Sequence, residues 1–188
     1  MIGIIDSNLL KILFFFFLSP GSKYTRIEVK KFVKMNNVVL DESLARLVNS
    51  NFLSRKKSLY FLNLENFFVN SLLEKWKKSF LGLPLDIQFL LIDFIFNLKK
   101  IQGVEQVILF GSYSKLIFSK NSDIDLAIIS RKGFEKKSSK NKILKISNLI
   151  HKKHGKKIEE HFFLESDLKE KKDPLIKEIL KNGRELFL

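Results

Sequence analysis

The sequence contains no cysteine, which excludes disulfide bonds and metal sites built on thiolates. Arginine and alanine are also scarce: only five of the 34 basic residues are arginine, and only two alanines occur. Because Phe, Ile, Asn and Lys are abundant instead, this usage is typical of an AT-rich genome. The formal net charge of +14 therefore predicts a basic surface, but it does not by itself indicate a nucleic-acid partner.

A hydrophobic run long enough to span a membrane is missing from the N-terminal part of the chain. The apolar stretch at residues 9–18 is shorter than the about 20 residues that a spanning helix needs, and it contains Lys11. No positively charged segment precedes it, as a secretory signal would require. We therefore expect a buried helix, capped by Asp6 or Ser7, in a cytoplasmic protein with no membrane partner.

The most informative motif is a pair of aspartates two residues apart. Asp123 and Asp125 lie in a segment rich in Ile, Leu and Ala, residues 122–129, whose composition predicts a buried strand. Alternate residues of a strand project from the same face, so both carboxylates are expected to point together out of an apolar wall. Such a pair is costly unless a cation lies between its members. Mg²⁺ suits this arrangement, since it takes oxygen ligands and completes its coordination with water and substrate phosphates.

A candidate phosphate site precedes this strand. Residues 104–110 predict another strand, which ends at Gly111 and Ser112. A residue without a Cβ atom lets the backbone turn sharply and approach a ligand closely. The main-chain N–H groups and the Ser112 hydroxyl are therefore candidates for binding a triphosphate.

These motifs together carry a family resemblance. Gly111 and Ser112, followed by the run Ser122 to Leu126 with its two aspartates, resemble the signature of the DNA polymerase β-like nucleotidyltransferase superfamily in its minimal form. The resemblance implies that the Gly-Ser pair, together with Ser122, binds the phosphates of a nucleoside triphosphate, with ATP favoured. It also implies that the two aspartates bind two Mg²⁺ ions and that a later strand supplies a third carboxylate.

The third carboxylate is expected on the strand candidate at residues 157–164, where two glutamates compete for the role. Neighbouring residues of a strand face opposite ways, so only one of Glu159 and Glu160 can share a face with the site, and the register favours Glu159. His161 would share that face and either touch the site or orient a neighbour. Minimal members of the family usually carry a glycine about four residues after the Gly-Ser serine, where this sequence has Leu116.

The N-terminal residues 1–64 resemble a different family. Three helix candidates are followed by two strand candidates around a basic tip, which is the element order of a winged helix-turn-helix domain. In that family the third helix enters the major groove of DNA and the wing contacts phosphates. The resemblance implies DNA contacts by Arg46 on the third helix and by a wing composed of Arg55, Lys56 and Lys57. Because Asp41 and Glu42 lie near the start of that helix, a dimerisation or partner-docking module is the alternative.

The predicted fold class is α+β, with three parts: a winged helix-turn-helix at residues 1–64, a connecting helix at residues 65–82, and a small mixed-sheet nucleotidyltransferase domain at residues 83–188. The remaining expected elements are an apolar helix at 86–99 that is deeply buried or forms a homodimer contact, an amphipathic helix at 136–153, a helix at 174–181, and an edge strand at 185–188. We expect His151 and His154 to be solvated at the end of their helix, and Gly183 to end its helix in the left-handed conformation.

The predicted function is Mg²⁺-dependent transfer of a nucleotidyl group, adenylyl favoured, from a nucleoside triphosphate to a hydroxyl of an acceptor. Asp123, Asp125 and Glu159 are the candidate catalytic and metal-binding residues. The resemblance is compatible with a protein acceptor, as in toxin–antitoxin-like pairs, while the residues do not identify the acceptor. The alternative is a DNA-binding transcriptional regulator whose nucleotidyltransferase domain is catalytically degenerate, and an RNA-directed transferase is a third hypothesis.

Overall fold

The computed structural model describes residues 5–131, 137–169 and 173–186. The chain divides into two compact units, Met1–Lys77 and Lys78–Leu188. Within the described ranges, no single helix is long and apolar enough to cross a membrane, and only the two helices Phe67–Phe80 and Leu85–Leu98, joined across the break between them, reach that length and composition.

The first unit combines helices with a small antiparallel sheet. Its elements are α1 (Ser7–Phe17), β1 (Tyr24–Thr25), α2 (Arg26–Val33), α3 (Asn37–Asn49), β2 (Leu53–Lys56), β3 (Leu59–Leu62) and the start of α4 (Phe67–Phe80). The three strands are ordered β1-β3-β2, so the predicted hairpin forms and a third strand extends it. Three helices followed by a hairpin is the element order that the sequence predicts, and the winged-helix assignment itself stays a prediction.

Helix α1 forms the core of this unit. The Asp6 side chain accepts hydrogen bonds from the N–H groups of Asn8 and Leu9 at 2.9 and 3.0 Å, so Asp6 is the N-cap. Every residue of the helix from Leu9 onward is buried, as expected for this apolar stretch. Its phenylalanine rings lie against Trp76, which is 2% exposed and therefore fills the core.

The second unit is built on a four-stranded mixed sheet. Its elements are α5 (Leu85–Leu98), β4 (Val104–Phe110), α6 (Gly111–Ser114), β5 (Ile124–Ser130), α7 (Lys137–His154), β6 (Ile158–Leu164), a short 3₁₀ helix (Asp167–Lys169), α8 (Pro174–Asn182) and β7 (Arg184–Leu186). The strands are ordered β6-β5-β4-β7. β5 and β6 are parallel, whereas β4 is antiparallel to both of its neighbours. Lys136, Phe187 and Leu188 of the predicted elements lie outside the described residues.

Helices α5 and α7 pack against each other through a buried acid. Helix α5 is buried nearly all round, as expected. Asp93, inside it, accepts hydrogen bonds from Lys153 at 2.7 Å and pairs with the Nε2 atom of His154 at 2.9 Å. The prediction that His154 is solvated is therefore wrong, because its ring packs against α5 and pairs with Asp93. His151 is exposed, as expected.

The face of the sheet that carries Asp125 is covered by α8. Ile108, Phe110, Ala127 and Ile129 form a buried cluster there with Ile179 of α8. Gly183 follows this helix with φ −68°, so the prediction of a left-handed glycine is wrong. The glycine is needed for space instead, since a Cβ atom would lie 2.3 Å from the Ile179 carbonyl oxygen and 2.5 Å from Ile108 Cγ2.

Candidate active site

Three neighbouring strands bring Asp125, Glu159 and the Gly111 turn together at one end of the sheet. Asp125 at the start of β5 is paired directly with Phe110 at the end of β4 and with Glu159 on β6. Residues paired across neighbouring strands share a face, so the Asp125 and Glu159 carboxylates project to the same side. Asp123 lies just before β5 and two residues from Asp125. Glu160 is paired with Leu126 and faces the opposite side.

Gly111 makes this site possible by its lack of a side chain. Its φ of +70° is one that L-residues rarely adopt. A Cβ atom at this position would lie 2.1 Å from Oδ2 and 3.0 Å from Cγ of Asp125. The backbone at the start of α6 therefore lies against the Asp125 carboxylate, which any other residue would displace.

The segment between α6 and β5 is held by a backbone hydrogen bond to Ser112 and by the side chain of Ser122. The Ser112 carbonyl accepts a hydrogen bond from the Ile117 N–H at 3.0 Å, and the Ser122 hydroxyl accepts one from the Ser119 N–H at 2.8 Å. Ser112 lies in the first turn of α6, directly after Gly111. The Ser122 hydroxyl thus holds the loop in place, and contact of either serine with a nucleotide stays a prediction.

Leu116 occupies a backbone position that suits glycine. Its φ is +60°, in the left-handed region, and its side chain lies against Gly82 and is 42% exposed. A left-handed turn of the kind that usually takes a glycine is thus formed here by a leucine. Left-handed geometry costs an L-residue about 1–2 kcal/mol, so the local strain is modest. Leu116 consequently does not prevent the turn from forming.

The left-handed backbone at Leu116 predicts that a valine variant is less stable than a glycine variant, although valine keeps more of the leucine side chain. Leu116→Val is expected to lower the free energy of unfolding by about 1–2 kcal/mol, because a β-branched residue fits the left-handed region poorly. Leu116→Gly is expected to change it by less than about 1 kcal/mol, since relief of strain offsets the lost contact and the greater freedom of the unfolded chain. Urea unfolding of both variants measures this order. A valine variant as stable as the glycine variant would contradict the strain argument.

The carboxylates at this edge repel one another. Burial raises the pKa of Asp125 above its ordinary value, and the negative charges of Glu159 and Asp123 raise it further, while His161 and Lys157 lower it. His161 lies deeper on the same face, with Nε2 3.6 Å from Glu159 Oε1 and its ring against Phe110. The site therefore holds more negative charge than its surroundings neutralise, which favours binding of a cation.

Lys157 is a site residue that the sequence reasoning missed. Its ammonium group lies 3.1 Å from Asp123 Oδ2 and 3.8 Å from Glu159 Oε2. The sequence does place Lys157 on the site face, because it precedes Glu159 by two residues and alternate residues of a regular strand share a face. A lysine among many lysines does not stand out in the sequence, and only the pairing of β5 with β6 shows which one reaches Asp123.

The residues present fit magnesium bound together with a substrate, rather than a closed protein cage. Among the described residues, no group of three or more His, Asp or Glu side chains is arranged to hold a metal ion by itself. Mg²⁺ is commonly bound by one or two carboxylates, with water and substrate phosphates completing its octahedron. Asp123 and Asp125 supply two such carboxylates, beside a backbone turn that Gly111 keeps open. Participation of Glu159 in the same set stays a prediction.

The candidate DNA contacts lie in the first unit, and two of the four already have partners. Arg46 forms an ion pair with Asp6 at 2.5 Å, and Arg55 donates a hydrogen bond to the Lys57 carbonyl at 3.0 Å. Lys56 and Lys57 are exposed at the tip between β2 and β3. Arg46 would have to leave Asp6 in order to contact DNA, so its role stays a prediction.

Comparison with known protein families agrees with the geometry of the second unit. The model of the family described as polymerase beta, nucleotidyltransferase, matches residues 94–188. This range contains the Gly111 turn, the aspartate strand and the Glu159 strand. No curated protein matches the chain. The matched residues make up half of the sequence, and we conclude that the chain belongs to the polymerase beta nucleotidyltransferase family, with its nucleotidyltransferase domain at residues 94–188.

Proposed function

We propose that this protein transfers a nucleotidyl group, preferentially adenylyl, from a nucleoside triphosphate to a hydroxyl of an acceptor in a Mg²⁺-dependent reaction. The observation that carries the proposal is the register of the sheet. It pairs Asp125 with Phe110, the residue before the Gly111 turn, on one side and with Glu159 on the other. The Gly111 turn, Asp125 and Glu159 are thus neighbours across three strands, with Asp123 two residues before Asp125, which supports a phosphoryl-type transfer at this position.

The proposed roles follow from these positions. Asp123 and Asp125 would hold two Mg²⁺ ions, which when bound neutralise the charge of the triphosphate and of the leaving pyrophosphate. The backbone of Gly111 and Ser112 at the start of α6 would receive the phosphates, with Ser122 keeping the adjoining loop in place. Glu159 is 49% exposed on its side chain, so an acceptor can approach it from solvent.

The proposed reaction transfers atoms only among the acceptor, the triphosphate and a carboxylate of the site. The acceptor oxygen forms a bond to the α-phosphorus while the bond from that phosphorus to the pyrophosphate oxygen breaks. The acceptor proton passes to a carboxylate, and Glu159 is the exposed carboxylate on the site face. Positioning and charge neutralisation supply most of the catalysis in such reactions.

A labelled-nucleotide assay tests the proposal. Purified protein is incubated with α-³²P-labelled ATP, GTP, CTP or UTP, Mg²⁺ and cell extract, and the label is followed on protein and on RNA. We expect Mg²⁺-dependent label on a protein acceptor, lost in Asp123→Asn and Glu159→Gln. Glu160→Gln is the matched control, because it makes the same chemical change one residue away on the opposite face, and it is expected to retain transfer.

The other outcomes separate the alternatives. Label on RNA would replace the protein acceptor with an RNA acceptor. No label with any nucleotide, combined with salt-sensitive and sequence-selective binding of duplex DNA, would overturn the proposal in favour of a regulator with a degenerate domain. Equal loss of label in the Glu159 and Glu160 variants would remove the role assigned to Glu159.

A further inference from the structure

The positively charged ammonium group of Lys157 lies where the proposed function needs a metal ion. Its ammonium group lies 3.1 Å from Asp123 Oδ2 and 3.8 Å from Glu159 Oε2, so it bridges two of the three carboxylates. Both carboxylates, and more weakly that of Glu160, raise the pKa of Lys157. The lysine is therefore a counter-charge of these carboxylates.

The backbone of Lys157 is tied to the sheet, whereas its side chain is largely exposed to solvent. The Lys157 carbonyl accepts a hydrogen bond from the Ile124 N–H at 3.0 Å, which ties the residue to the start of the aspartate strand. The side chain is 61% exposed. A lysine has a flexible four-carbon stem that ends in a point charge, so the ammonium can exchange partners without any change in the backbone.

The neighbouring lysine behaves differently. Lys156 donates hydrogen bonds to the carbonyls of Lys120 and Ser122, and its ammonium lies 5.9 Å from the centre of the Tyr113 ring. It therefore secures the loop before β5, whereas Lys157 contacts carboxylates through its side chain. Of the two adjacent lysines, only Lys157 is placed to exchange with an incoming cation.

We propose that Lys157 is a ligand of the nucleotide triphosphate that also occupies the metal position when no substrate is bound. This inference rests on the proposed function. A magnesium ion cannot share the Asp123 carboxylate with an adjacent ammonium group without electrostatic repulsion. When Mg²⁺ and nucleotide enter together, the ammonium leaves the carboxylates and pairs with the phosphates, which supply negative charge beside the metal. The lysine thus disfavours metal alone and favours metal with nucleotide.

The proposal predicts effects of opposite sign in one variant. Lys157→Gln is expected to bind Mg²⁺ alone about threefold to tenfold more tightly, because the competing cation is gone. The same variant is expected to bind α,β-methylene-ATP in saturating Mg²⁺ about tenfold more weakly, because a charged phosphate contact is lost. Isothermal titration calorimetry measures both affinities without relying on turnover. Lys157→Arg is expected to keep the nucleotide affinity within about threefold of the original.

A matched control separates this exchange from the general field of the protein. Lys145→Gln removes the same charge from an exposed position on α7, and it is expected to shift both affinities by less than about twofold. Lys157→Met serves as a second variant in case glutamine hydrogen-bonds to a carboxylate. Circular dichroism and thermal unfolding establish that each variant is folded.

The outcomes distinguish a failure of the exchange at Lys157 from a failure of the proposed function. If Lys157→Gln and Lys157→Met weaken binding of both Mg²⁺ and nucleotide, or leave both unchanged, the exchange is overturned while the proposed function stands. If the original protein binds neither Mg²⁺ nor the nucleotide analogue, the proposed function fails and the exchange fails with it. Tighter metal binding with weaker nucleotide binding supports the role of Lys157.

Discussion

Replacing Asp125 with asparagine is expected to lower nucleotidyl transfer by about a thousandfold while raising the stability of the fold at neutral pH. The loss follows from the position of Asp125 between the Gly111 turn and Glu159, where an uncharged amide binds a divalent cation poorly. The gain follows from the charge of the same carboxylate. Its burial and its negative neighbours raise its pKa, which means that the folded state resists its ionisation.

The pH dependence of this gain follows from linkage. A carboxyl group whose pKa is raised on folding binds its proton more tightly in the folded state than in the unfolded state. The resulting cost is therefore fully present above the raised pKa and disappears as the pH falls to the ordinary value of 3.8. The melting temperature of Asp125→Asn should exceed that of the original protein at pH 7, and the difference should shrink towards pH 4.

The measurement is made with EDTA present, so that metal binding does not stabilise the original protein. Asp86→Asn is the matched control, since Asp86 is exposed in the first turn of α5. It should retain transfer, and it should not gain stability, because an acid at a helix N-terminus is favourable. An Asp125→Asn protein that is inactive and also less stable at pH 7 would contradict the electrostatic argument.

Gly111→Ala is expected to remove transfer as completely as Asp125→Asn and to lower the free energy of unfolding by about 3 kcal/mol. Two costs add at this position. The φ of +70° is unfavourable for alanine, and the new Cβ atom would lie 2.1 Å from Asp125 Oδ2. The carboxylate must rotate away to relieve the overlap, and it then no longer points at the position where a metal would bind.

Gly155→Ala separates these two costs. Gly155 has nearly the same backbone conformation, with φ +72°, but a Cβ atom there would meet nothing within 4 Å. This variant should therefore lose only the about 1–2 kcal/mol of backbone strain and should keep its transfer activity. Urea unfolding and the labelled-nucleotide assay on both variants measure the difference. If Gly111→Ala behaved like Gly155→Ala, the close approach of the turn to Asp125 would not matter for function.

Local patterns were sufficient for most elements of the second unit. The strand at residues 104–110 was predicted with its observed bounds, because an apolar run that ends in Gly-Ser has few other readings. Helix bounds elsewhere differ by one or two residues, since caps such as Thr25 and Pro84 act at the single-residue level. The position of His154 depends on Asp93, a residue 61 positions away, which local pattern does not reveal. The extended backbone of Gly183 has no local sequence signal either, because the glycine is needed for space against Ile179 and Ile108.

The sequence by itself determined that two aspartates, two residues apart, stand at the start of an apolar strand that follows a glycine turn, in a chain rich in lysine and free of cysteine. These features follow from local alternation along the backbone, which any single strand obeys. The tertiary structure alone decided that Glu159 rather than Glu160 joins Asp125, and that Lys157 reaches Asp123. Both depend on the register between β5 and β6, where a slip of one residue would reverse every side chain.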